Sequence, residues 1–196
     1  MKKLLFWALL LVSAITCQAA KKASPIANVQ SVNFYGVDYS KCHTFGIEGD
    51  AKEIAKTLAN INDLFVNESK KYDVAKFTKK KVGVIDINVG KTLSEGINAD
   101  ELATNSTSNK VSDEDVANTV KNLTLNETSG TGLILVGEYL SKQKAEGTYQ
   151  VVFFDIASRN IVAKWQATGK AGGFGLRNFW AKSVYLVMDA IKTYKE

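Results

Sequence analysis

Between residues 133 and 168, three runs rich in β-branched and aromatic residues follow one another with only short polar breaks. They are LILVGEYL at 133–140, YQVVFFDI at 149–156 and NIVAKWQAT at 160–168. Joints this short cannot hold a crossover helix, so the consecutive strands must pair antiparallel, as a meander. The third run alternates: Ile161, Ala163, Trp165 and Ala167 point one way, Lys164, Gln166 and Thr168 the other. Such a strand has one wet face. The middle run is apolar on both faces and belongs inside the sheet. Trp180, Val184, Val187, Ile191 and Tyr194 then repeat at spacings of 4, 3, 4 and 3, the stripe of a closing helix over 178–195 that packs on the sheet.

The earlier part of the chain supplies further elements. SVNFYGVDY at 31–39 reads as a strand, with Val32 and Phe34 on one face and Tyr35, Val37 and Tyr39 on the other. Asp50 is a helix N-cap, and Ile54, Leu58, Ile61 and Phe65 form the apolar stripe of a helix that fades near 69–72. VGVIDINV at 82–89 reads as a second strand. Residues 90–111 are polar and read as a long surface connection with one helical turn around 100–103, long enough to be functional. Ser112-Asp113-Glu114-Asp115 resembles a capping box and opens a short helix carrying Val116, Val120 and Leu123. The sum is a mixed α+β (α/β) fold: a single domain over 31–196, with an about five-stranded mixed sheet, a C-terminal antiparallel meander, and helices packed on it.

The first 20 residues, MKKLLFWALLLVSAITCQAA, have the three parts of a secretory signal peptide: Lys2 and Lys3, an apolar run from Leu4 to Ile15, and small residues around the cleavage point. The run falls short of the roughly 20 residues that a membrane span needs. Cleavage after Ala19 or Ala20 suits the small-residue rule. Ala14-Ile15-Thr16 is a poor lead-in for lipid attachment at Cys17, so an exported, periplasmic or envelope-associated protein is expected, with membrane anchoring only if Cys17 is lipidated. Residues 21–30, with Pro25, read as a tether. Without Lys2 and Lys3 the 25 basic residues become 23 against 20 acids, and net charge drops from +5 to +3. That is a mixed surface with no footprint for nucleic acid. Only Cys42 remains after export, so the fold must stand on its apolar core without an internal disulfide.

Four places invite a chemical reading. GKAGGFGLRNFW at 169–180 sets glycines beside basic residues ahead of a helix. A Walker loop needs its lysine after the last glycine, and a dinucleotide loop needs a third glycine where Asn178 stands, so both nucleotide templates fail. What remains is a strand-to-helix corner whose Lys170, Gly172, Gly173 and Arg177 form a candidate contact for an anion or an acidic partner group. Cys42 and His43 are the sole mature thiol and the sole imidazole, but neighbours on an extended chain point apart, so chance adjacency is the reading. Asp38, Asp86 and Asp155 each sit within or at the end of a strand; in one cleft they would suit hydrolytic or metal chemistry, and apart they simply cap turns. Sequons at Asn67, Asn105, Asn122 and Asn126 arise by chance in an Asn/Thr-rich chain. No cofactor motif and no metal-ligand spacing is present.

The stretch TGLILVGEYLSKQKAEGTYQVVFFDIASRNIVAKWQATGK, residues 131–170, resembles the sheet of two groups of bacterial envelope proteins: the periplasmic domain of the curli secretion channel, and the lipoprotein activators of penicillin-binding proteins. The likeness lies in FFDIASRNIVAKW, where one strand turns back into the next. The chain as a whole, with GKAGGFGLRNFWAKS, is similar to uncharacterised secreted proteins of Bacteroides-type bacteria. The resemblance implies export and an α/β domain, and transfers no catalytic residue. The chain departs from the activators in its lead-in to Cys17 and in lacking their long proline-rich tether. The expectation is therefore an exported envelope domain acting as a protein-interaction or assembly-accessory module, its partner another envelope protein. The alternative is a secreted hydrolase or small-ligand-binding protein that uses the strand aspartates or the 90–111 segment.

Overall fold

The structure, a computed structural model, describes residue 24 and residues 26–194. The segment expected to be the export signal, with Cys17, and Pro25 lie outside the described residues. Along the chain run β1 (Ser31–Asp38), β2 (His43–Phe45), α1 (Ala51–Ala59), α2 (Leu64–Asn67), α3 (Val74–Thr78), β3 (Lys81–Ile85), α4 (Ile87–Glu95), α5 (Ala99–Leu102), α6 (Asp113–Lys121), β4 (Thr131–Ser141), β5 (Glu146–Asp155), β6 (Ile161–Lys170) and α7 (Leu176–Ile191). The fold is mixed α+β. Its open six-stranded sheet has the order β3-β1-β4-β5-β6, and β2 pairs with the far end of β4.

β1 is parallel to both β3 and β4, whereas β4, β5 and β6 form the antiparallel meander. The chain leaves β1 to one side for β3 and returns across it to β4. Helices α1–α3 of the first connection bury Ile54, Leu58, Phe65 and Phe77 on one face of the sheet, beneath the Trp180, Val184 and Val187 stripe of α7. Val116 and Val120 of α6, in the second connection, cover Tyr35, Ile134, Val152 and Phe154 on the other face. Each such side chain, taken fully from water, contributes about 1.5–3 kcal/mol. The helix expected over 178–195 runs from Leu176 to Ile191, and Tyr194, beyond its end, lies flat on Trp165 at 4.0 Å between ring centroids, while Trp165 stacks on Phe153 at 5.8 Å.

Four sequence expectations need correction. Val37 and Tyr39 share a face with Val32 and Phe34 rather than with Tyr35. The cause is a bulge at Gly36, where φ is +84° and the register slips against β4 between Phe34 and Val37. An inserted residue flips the parity of everything after it. The strand expected over 82–89 stops at Ile85, because Asp86 caps a helix by accepting the Asn88 N–H. That helix, α4, occupies the first part of the expected surface connection. The helix opened by Asp50 breaks after Ala59, and a further short helix follows Asp73. Finally, residues 26–29 do not dangle as a tether: Ile26 and Val29 are buried, and the Lys80 ammonium donates to the Ile26 carbonyl at 2.8 Å.

Other expectations hold. The capping box at Ser112 and Asp115 forms as read, and α5 falls on the expected helical turn. Leu102 and Val111, either side of the irregular stretch 103–110, are anchored in the core.

Candidate functional site

At the glycine corner β6 must turn into α7 while touching it. A Cβ on Gly169 would stand 2.1 Å from the Ser183 carbonyl oxygen, so strand and helix approach at backbone distance. Gly173 and Gly175 adopt φ of +116° and +77°, a region costly for residues with a Cβ. Between them Phe174 is held out into solvent at 95 % exposure. The Gly172 N–H donates back to the Phe179 carbonyl at 2.9 Å and fixes the loop against the helix.

The corner separates the residues that the sequence grouped. Lys170 lies opposite Glu146 in the β5–β6 ladder and pairs with it at 2.8 Å. Arg177, in the first turn of α7, instead lines a groove of about 550 Å³ with Gly172, Gly173, Phe174 and Lys182. Tyr72, Tyr185 and Leu186 supply the apolar wall of this groove. Lys71 stands at its rim, 3.6 Å from Glu68, an exposed pair of little strength. On the other side of the loop, a second hollow of about 470 Å³ is lined by Ile47, Leu176 and Phe179. There the Lys142 ammonium sits 3.6 Å from the centre of the Phe179 ring.

The three strand aspartates do not converge. Asp155 accepts from the backbone N–H and hydroxyl of Ser158 in the β5–β6 turn, and these bonds hold its carboxyl below the usual range. Asp86 caps α4. Asp38 is fully buried at the opposite end of the sheet from Asp155. One oxygen of Asp38 accepts the Ser40 N–H at 2.7 Å, and the other has no partner. Burial raises its pKa, against the Ser40 bond and the nearby Lys41 charge.

Cys42 and His43 do not form a nucleophile pair. The thiol is buried and donates to the His43 carbonyl at 3.6 Å, not to the ring. Burial, reinforced by Asp38 and Glu138, pushes its pKa up, so the sulfur stays protonated.

Sequence reasoning missed a second place, a polar cleft of about 290 Å³ beyond the C-terminal end of β1. Its walls come from the β1–β2 link (Ser40, Lys41, Cys42), from the α4–α5 region (Asn98, Glu101), and from the approach to α6 (Asn109, Lys110, Asp115). Two buried acids hold these walls. Asp38 fixes the link at Ser40. Glu138 accepts the Val111 N–H at 3.1 Å, the Gln150 amide at 2.8 Å and the Gln166 amide at 2.6 Å. The Asn109 amide donates to the Glu138 carbonyl at 2.9 Å. The available signal was Glu138 itself, an acid inside an otherwise apolar strand.

Comparison of the chain with protein-family models, with curated proteins and with solved structures finds no match. Among the described residues no helix is long and apolar enough to cross a membrane.

Proposed function

We propose that this chain is an exported domain of the bacterial cell envelope that works by binding another protein, and that the glycine corner is its contact surface. The observation that carries the reading is Phe174. An aromatic side chain 95 % exposed, on a loop pinned to a helix, is an anchor presented for insertion into a partner. Its surroundings set the partner's chemistry. Arg177 and Lys182 add two cations with no ion pair among the described residues, so the groove suits an acidic segment carrying an apolar side chain. Export rests on the N-terminal signal, and the envelope setting on the resemblance of the 131–170 hairpin.

Affinity capture from envelope extracts tests the reading. The wild-type domain recovers a defined partner, and Phe174→Ser combined with Arg177→Glu weakens that capture at least about tenfold. Equal recovery by both proteins, or none by either, overturns it. Intact-mass analysis of the exported protein tests the processing, with a mature chain starting at Ala20 or Lys21.

A further inference from the structure

We propose that the cleft beyond β1 binds a small zwitterion of the amino-acid or dipeptide class. Three observations converge on it. The first is position. The first crossover connection leaves β1 for β3 on one face of the sheet, and the second leaves β3 and returns across β1 to β4 with α6 on the other face. The cleft opens outside the carboxyl end of β1, the place where open α/β sheets take their ligands.

The second is construction. Burying carboxyl groups opposes folding, yet two fully buried acids, Asp38 and Glu138, pin the link at Ser40 and the segment at 109–111 on either side of the cleft. A core built for stability alone would place apolar side chains there. Acids spent on fixing two loops make a preorganised site.

The third is the set of groups left uncommitted. Lys41, Lys110 and Glu101 line the cleft from three separate segments, and none makes a side-chain hydrogen bond or ion pair among the described residues. The Asn109 side-chain carbonyl is likewise open. Asp115 is occupied by the Ser112 hydroxyl and backbone. Two free cations and one free acid match a ligand with a carboxylate at one end and an ammonium at the other. The carboxylate goes to Lys41 and Lys110, the ammonium to Glu101, and an intervening amide N–H to the Asn109 carbonyl. The volume of about 290 Å³ limits the ligand to small molecules.

Glycylglycine, acetate and glucose, titrated separately into the labelled domain and followed through its backbone amide shifts, test the assignment. Glycylglycine shifts residues 40–43 and 109–111 saturably, with a Kd of about 1 mM. Lys110→Ala and Glu101→Gln, both at exposed positions, each weaken binding about tenfold, whereas Lys121→Ala, outside the cleft, leaves it unchanged. No saturable shift, binding indifferent to Lys110→Ala and Glu101→Gln, or equal binding of acetate or glucose overturns the proposal. The partner capture described above does not depend on this outcome.

Discussion

The carboxamide of Asn62 serves as the missing neighbour strand for Val37. Its oxygen accepts the Val37 N–H at 2.7 Å, and its nitrogen donates to the Val37 carbonyl at 2.9 Å. The need arises because β3 turns away into α4 after Ile85, leaving the second half of β1 without a partner on that edge. Ser94 completes the repair by accepting the Tyr39 N–H and donating to the Val37 carbonyl. Asn62→Ala leaves a buried N–H unpaired and costs about 2–3 kcal/mol, read as a lower urea midpoint at unchanged slope. Asn62→Asp does no better, since it sets a carboxylate against the carbonyls of Val37 and Ala59.

The glycines of the corner are not equivalent. Gly169→Ala drives a methyl group into the Ser183 backbone and costs at least about 2 kcal/mol. At Gly172 the nearest atoms belong to the flexible Lys182 side chain, at 3.3 Å and beyond, and Gly172→Ala stays within about 0.5 kcal/mol of wild type. Thermal melts of the two variants, side by side, check the contrast.

Asp38 makes stability depend on pH in the direction opposite to most carboxylates. Burial raises its folded-state pKa above the unfolded value of about 3.9, so the native state holds its proton longer than the unfolded chain does. Its contribution is fully present below the unfolded pKa and is lost as pH rises through the folded one. Asp38→Asn keeps an acceptor for the Ser40 N–H and removes the ionisation. It is more stable than wild type at neutral pH, and the difference closes at about pH 3. Urea denaturation of both proteins across that range checks the sign.

The helix stripes, the meander and the Ser112 capping box were legible because each is written in neighbouring residues. The stripe Trp180, Val184, Val187 and Ile191 needs no knowledge of what it packs on. The parity of β1 was not legible, since Gly36 looks the same whether or not it bulges; only the pairing with β4 reveals the slip. The same limit hid the cleft. Lys41, Glu101 and Lys110 are far apart in sequence and meet only because β4 lies beside β1. At the corner, composition singles out the loop, but the Lys170–Glu146 pair was not legible because Glu146 sits across a ladder whose register was unknown.

The central claim, that the glycine corner is where another protein docks, is tested most directly by placing a photo-reactive phenylalanine analogue at position 174 in cells. The control carries it at Val162, a position 47 % exposed on β6. The account predicts one discrete crosslinked species from position 174, lost when Arg177 and Lys182 are both reversed to glutamate, and none from position 162. The same products from both positions, or a product from 174 that survives the charge reversal, would contradict it.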